Sequence, residues 1–516
     1  MAEQTFEADV IVIGFGGAGA CAAIEAADHG AEVVIIEKQT KQRHYPNTRM
    51  SVGGFHSPYP DGDKQALREY AKALFSGENL PLVLEGEQPE FSSELAEIWA
   101  EYAPTNEKFM KSLDSGYTTY KSIRRAFPDF PGSEASKYAV ANGYYEQDGK
   151  KVLEGGEAFF ACLSKGVQSR NIPVHYETKA KELLVGPSGE IIGVKATRGE
   201  QAVTYKARRG VIIASGGFEY NKTIRRAFLE GPAVEGWAFY GSTENTGDGI
   251  EMALKVGAAM SKVGNAAARV ITAIPVRKNG LKIGLDTSAI GKPHELVVDN
   301  YGRRYADERR ITKDPSNYIF YKEALHFNTW DLSYPRIPSW MIFDEQLRRN
   351  VPVVNTKVAA MNGIEWDETN EKAINNGWIL KGETILELAE KIQAHPDNKG
   401  LMDPQTLLAT VTRFNEYCQM GNDLEYARDV STLGPVIQPP FYAIPLYVGG
   451  PNTKGGLKTN AKKQVLDWSY QPIPRLYAVG EIASVFQFAY QGGGNLAECI
   501  VFGRIAGKNC ASEKPL

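Results

Sequence analysis

The stretch ADVIVIGFGGAGACAAIEAADHGAEVVIIEK, residues 8–38, decides the fold. Val10 to Ile13 and Val33 to Ile36 are unbroken apolar runs of strand length, separated by a glycine turn and an alanine-rich helical segment. Strands that are apolar at every position belong in a sheet covered on both faces, and small helix residues let the covering helix lie close. The unit reads strand, turn, helix, strand, so the fold class is α/β with a Rossmann-type parallel sheet. Gly14-Phe15-Gly16-Gly17-Ala18-Gly19 satisfies G-x-G-x-x-G where a strand meets a helix. Gly14 permits the tight turn, Gly16 leaves out the side chain that would block a pyrophosphate, and Gly19 lets helix and strand approach. Gly17 and Ala18 fall in the first helical turn, whose free amides and positive dipole end suit phosphate. Glu37 closes the second strand where its carboxylate can accept hydrogen bonds from ribose hydroxyls and would repel a 2'-phosphate. The unit is therefore expected to bind a dinucleotide.

Outward from this unit, 516 residues are too many for one small core and imply two or three domains. Hydrophobic residues are 43% and charged residues 23%, which is ordinary globular composition. The net charge of -4 is spread along the chain, which argues against nucleic acid as a partner. Five cysteines lack C-x-x-C spacing for a metal or iron-sulfur cluster, so no metal is called for and a reduced, cytoplasmic setting is expected. The polar start MAEQTFEADV has no signal-peptide pattern, and no apolar run approaches the roughly 20 residues that span a bilayer. A first part of the nucleotide domain is expected over residues 1–265, with a helical and aromatic insertion at about 60–150. The region 266–435, rich in Tyr, Trp and Arg, reads as a cap or substrate domain, and 436–516 returns to strand-and-glycine text that completes the nucleotide domain. Helices are predicted over 94–113, near 383–394 and near 405–418, and a strand turn at Pro187-Ser188-Gly189.

Further motifs follow in order: NTRMSVGG (47–54), VIIASGGFEYN (211–221), ENTGDGIEMA (244–253), GRRYADE (302–308), TKGGLKTN (453–460), PIPRLYAVGEIAS (472–484) and GGGNLAECIVFGRIAG (492–507). With the opening unit they resemble the flavoprotein family of fumarate reductases, succinate dehydrogenase flavoprotein subunits and 3-ketosteroid dehydrogenases, and most closely the last. The resemblance implies FAD bound in a glutathione-reductase-like domain built from both chain ends, with an inserted α+β cap. It adds Lys38, Asn47, Thr48, Ser51, Gly53, Gly54, Ala180, Ser215, Gly216, Asn245 and Asp248 to the expected cofactor residues. A physical reading runs beside it: Gly480 delivers Glu481 from a short strand as a second polyol anchor. Gly493, Gly494, Asn495 and Leu496 open a helix whose amides can face an anionic flavin edge. In succinate dehydrogenases the flavin is attached to a histidine ahead of a similar glycine pair. Here that position holds Asn47, which implies non-covalent FAD, and His44 reads as a surface histidine.

Fumarate reductases grip a dicarboxylate with a His before T-x-G-G and an Arg before the final glycines; here those positions hold Asn452 and Gln491. Neutral amides cannot offset the desolvation of two carboxylates as cations can. The 3-ketosteroid dehydrogenases instead bind a ketone oxygen with a tyrosine hydroxyl and a backbone amide, a pattern matched by Tyr490 and Gly494. Such donors stabilise the enolate as it forms. Tyr318, Tyr117 and Tyr120 are candidates for the proton acceptor. The expected activity is interconversion of a cyclic or steroid-like ketone and its α,β-unsaturated form. The alternatives are a carboxylate-directed enoate reductase using Arg309 or Arg310 as acid, and a non-catalytic flavin-binding subunit.

Overall fold

A computed structural model of the chain describes residues 4–80, 91–122, 126–137, 139–312 and 315–516. The parts of the insertion at 81–90, 123–125 and 138 lie outside the described residues. The chain divides into two compact units: residues 1–221, 244–265 and 453–516, and residues 222–243 and 266–452.

The first unit is organised by the opening motif. Strand β1 (Gln4–Ile13), helix α1 (Gly17–Asp28) and strand β2 (Val33–Ile36) form where the sequence places them. Strands β3 (Val174–His175), β4 (Gln201–Ile213), β5 (Gln464–Leu466) and β6 (Pro472–Ala478) extend the sheet in the order β5-β6-β4-β1-β2-β3. Strands β1, β2, β3, β4 and β6 pair in parallel, in registers such as Val10 with Val33 and Val211 with Leu476. An antiparallel pair, Thr178–Val185 with Ile191–Arg198, joins β4 at its side, turned at Gly189. Val10, Ile11 and Val12 are wholly buried, and each contributes about 1.5–3 kcal/mol relative to exposure.

The C-terminal helix α2 (Gly494–Ala511) lies against α1 through its small residues. A Cβ at Gly503 would come 2.8 Å from Cys21 Cβ, and one at Gly507 would come 2.3 Å from the Ala22 carbonyl. The Rossmann-type domain is thus assembled from both chain ends. The insertion carries helices Lys64–Ser76, Ser92–Tyr102 and Asn106–Leu113. It also carries a sheet that periodicity did not announce, in which Gly54–His56, Thr118–Ser122 and Lys150–Glu154 all join Val140–Gln147 directly or through it.

The second unit is a mixed sheet with helices, the inserted α+β cap. Its strands run Trp237–Phe239, Leu281–Leu285, Ala266–Lys278, Phe441–Thr453, Ser339–Asp344, Glu295–Val298 across the sheet. Residues 222–243 belong here because Trp237–Phe239 pairs in parallel with Phe441–Thr453, and residues 436–452 because they supply that strand. Helices Ile385–Gln393 and Pro404–Met420 pack Leu388, Ile392, Leu407, Val411 and Phe414 on Leu296, Trp340 and Ile342. The GRRYADE motif is spent inside this unit. Arg304 binds Glu308 at 2.8 Å and Asp423 at 2.9 Å, and Arg428 binds Glu308 at 3.1 Å and Glu295 at 2.9 Å. Among the described residues no helix is long and apolar enough to cross a membrane.

Candidate cofactor groove and active site

The three motif glycines have different causes. Gly14 adopts φ +102, and a Cβ there would meet the Ala214 carbonyl oxygen at 2.6 Å. At Gly19 a Cβ would fall 2.0 Å from the Gly14 carbonyl oxygen. The protein interior demands both. Gly16 has φ -95, and the nearest atoms to an added Cβ, in Pro46 and Thr48, are 3.8 Å away. Nothing inside the protein requires glycine there, so the space kept clear before the α1 amides is space for a ligand. Gly17 N–H donates to Thr48 Oγ1 at 2.9 Å, and Ala18 and Gly19 are buried in the first turn of α1.

Glu37 is set at the end of β2 with both oxygens occupied. Phe15 N–H donates to Oε2 at 2.9 Å and Gln39 N–H to Oε1 at 2.8 Å. Burial resists its charge, but His44 and these two amides outweigh that and hold the carboxyl below its usual range. His44 is not a surface histidine: it is 3% exposed, stacks on Phe15 with ring centroids 5.4 Å apart, and places Nε2 3.6 Å from Glu37. The polar text around it suggests exposure, but the aromatic face of Phe15 and the buried carboxylate draw it inward.

The residues added by resemblance cluster in the same unit, largely bound to one another. Lys38 Nζ donates to Asp248 and Thr246, each at 2.7 Å, and Lys179 also pairs with Asp248 at 3.0 Å. Ser51 Oγ donates to the Thr48 carbonyl and accepts from Gly53 N–H. Gly54 begins a strand of the insertion, and Ala180 is buried on Thr178–Val185. A Cβ at Gly216 would touch Asn245 Oδ1 at 2.8 Å, and Ser215 Oγ is buried with no hydrogen-bond partner. Asn47 Nδ2 donates to Glu481 Oε2 at 3.0 Å, and Thr453 Oγ1 donates to Glu481 Oε1 at 3.1 Å.

At the closing end, Gly493 takes φ +92 as the cap before α2. Gly494 opens the helix, followed by Asn495 and the buried Leu496. Gly494 N–H, expected to face a substrate oxygen, instead donates to the Gln491 carbonyl at 2.9 Å, because the residues between them close a turn. Tyr490 is 7% exposed and meets Phe486 edge-on at 5.5 Å. The Lys454 ammonium lies 4.6 Å from the Tyr490 ring centroid. Its three protons go to Ser484 Oγ at 3.1 Å, Glu498 Oε1 at 3.0 Å and Asn495 Oδ1. Gln491 is buried beside it and accepts from Tyr70 O–H at 2.7 Å, while Tyr70 accepts from Phe127 N–H.

The remaining candidates are placed elsewhere. Tyr117 is buried in the insertion, edge-on to Tyr145, and burial pushes its phenol well above the ordinary range. Tyr120 is exposed. Tyr318 lies on the Pro315–Ile319 turn of the second unit, within electrostatic reach of the buried Arg269, which pairs with Asp286. Arg309 pairs with Asp429, and Arg310 is exposed. Sequence reading gave no role to Lys454 or Glu219, although both stand inside quoted motifs; their only signal was a charge set among residues destined for the interior.

The family model described as FAD binding domain matches residues 9–496. The 3-oxosteroid 1-dehydrogenase of Mycolicibacterium smegmatis is 26% identical, over 98% of this chain and 97% of its own length. The fumarate reductase (cytochrome) of Shewanella frigidimarina is 24% identical, over 98% of this chain and 77% of its own. The structure of 3-ketosteroid delta1-dehydrogenase from Sterolibacterium denitrificans in complex with 1,4-androstadiene-3,17-dione has a TM-score of 0.80 and 22% identity, covering 98% of this chain and 99% of that one. That likeness establishes the fold. FAD is the cofactor, and the groove fits it: the ligand space before Gly16, the caged Glu37, the buried hydroxyl of Ser215 and the reachable Glu481 are dinucleotide-directed groups in one unit.

Proposed function

We propose, from the premise that this chain belongs to the FAD binding domain family, that it is an FAD-dependent dehydrogenase or reductase interconverting a cyclic or steroid-like ketone and its α,β-unsaturated form. The observation that carries this reading is the donor set of the closing loop, which is neutral: the Tyr490 phenol followed by the Gln491 amide. Among the described residues the buried ammonium close to Tyr490, that of Lys454, has every proton committed and cannot clamp a substrate carboxylate.

When bound, FAD supplies a ring that takes or gives the hydride. The chain's own part is to hold the ketone and manage protons. Tyr490 O–H donates to the ketone oxygen and so stabilises the enolate that forms as the α-carbon loses its proton. The Lys454 ammonium lies over the Tyr490 ring and helps to hold the phenol in place. The Gly494 amide is engaged with the Gln491 carbonyl, so Tyr490 is the donor on which this reading depends. Of the named proton acceptors, Tyr117 is disfavoured, because its burial opposes the phenolate a base needs. Asn47, at the position of the attachment histidine in succinate dehydrogenases, leaves FAD without a covalent link.

Anaerobic mixing with a panel of ligands tests the reading. A cyclic 3-ketone should bleach the oxidised flavin, and fumarate should leave the reduced protein reduced. Reoxidation by an unsaturated carboxylate with no response to ketones would replace this reading with the enoate reductase.

A further inference from the structure

Behind Glu481 stands a second carboxyl. Glu219, in the SGGFE segment after β4, is fully buried, whereas Glu481 is partly exposed. The two carboxyls meet, with Glu481 Oε1 and Glu219 Oε2 approaching the same point beside Gly217. Thr453 ties them together, its N–H donating to Glu219 Oε1 at 3.0 Å and its hydroxyl to Glu481 Oε1 at 3.1 Å. Gly217 makes the meeting possible: a Cβ there would lie 2.0 Å from Glu481 Oε1 and 2.9 Å from Glu219 Oε2. A carboxylate only accepts, so two of them bond to each other only if one keeps its proton.

We infer that Glu219 is a positioning residue: one proton shared with Glu481 fixes the Glu481 carboxyl in the FAD groove, which carries one negative charge there in place of two. Burial, and then the neighbouring carboxyl, keep that proton on the pair well above the ordinary carboxylate range. The surrounding groups do not remove it. Asn47 donates to Glu481 and Asn245 faces Glu219 without charge. The Lys454 ammonium attracts Glu481 but spends its protons on Ser484, Asn495 and Glu498. Lys463 binds the Ala483 carbonyl, and burial pushes its amine down to about 8, so it loses charge as pH rises. Once the shared proton leaves, two buried anions repel and Glu481 loses its place.

The inference rests on the FAD groove and not on the ketone reading, so either can fail alone. It is tested by titrating apo-protein with FAD, followed by flavin fluorescence, for the wild type, Glu219→Gln and Glu219→Ala between about pH 6 and 9. Thermal unfolding of each apo-protein reports folding. Glu219→Gln should stay within about threefold of wild type at neutral pH, because its amide donates to Glu481 without a proton to lose, while Glu219→Ala should lose about tenfold or more. Raising the pH should weaken FAD binding by the wild type and leave Glu219→Gln level. The proposal is overturned if Glu219→Ala binds as well as wild type, if folded Glu219→Gln binds as weakly as Glu219→Ala, or if wild type and Glu219→Gln share one pH slope.

Discussion

Two glutamates of the FAD-binding unit meet opposite fates. Glu37 sits at the head of the glycine turn, where two backbone amides and His44 surround it, and it is held ionised. Glu481 sits at the closing end, where another carboxyl stands behind it, and the pair retains a proton. Both are proposed anchors for polyol hydroxyls, so the difference lies in what the protein asks of their charge. The strand-to-helix turn offers free N–H groups to Glu37. Around Glu481 and Glu219 the donors include the Thr453 N–H and hydroxyl and the Asn47 amide, and a shared proton joins the two carboxyls.

The largest effect should come from removing the ionised anchor. Glu37→Leu leaves the Phe15 and Gln39 amides without their acceptor and His44 without the carboxylate beside it, and should cost about 2–4 kcal/mol of apo stability and abolish FAD retention on gel filtration. If FAD were retained, Glu37 would be a structural carboxylate only. Gly16→Ala should be next: the protein has room for the Cβ, so the apo-protein should melt within a few degrees of wild type, while FAD affinity falls by about tenfold or more. Equal loss of apo stability would show that Gly16 serves the fold.

Smaller, but sharper for the comparison, are the pH limbs. Glu37 has its folded pKa lowered, so the stability it contributes is present above the unfolded value and is lost as pH falls through the folded one. The Glu219–Glu481 pair has its pKa raised, so its contribution declines as pH rises toward the folded value. Glu37→Gln should therefore flatten the acid limb of holo-protein melting and spare the alkaline one. Acid precipitation should leave yellow colour in the supernatant; colour in the pellet would mean a covalent link that Asn47 cannot make.

The sequence made the Rossmann unit legible because its signals are local: apolar runs, a glycine turn and Glu37 lie within one short stretch. The insertion's sheet was not legible, since Gly54–His56 and Val140–Gln147 pair across a long separation and carry no hairpin turn between them. Candidate cofactor residues could be named from motifs, yet their partners in the fold could not. Nothing in FEYN foretells that Glu219 meets Glu481, nor in KQRHYPN that His44 turns inward to Phe15. Gly494 shows the same limit, because a motif gives the position of an amide and only the turn shows that Gln491 already holds it.

The account stands on Tyr490 gripping a ketone oxygen, and Tyr490→Phe addresses that directly. Wild type and variant, each loaded with FAD, are mixed anaerobically with a saturated cyclic 3-ketone while visible flavin absorbance is followed. The variant should hold the same FAD content and bleach about 10²–10³-fold more slowly, the usual loss when one oxyanion donor is removed. Bleaching at the wild-type rate in Tyr490→Phe would contradict the account.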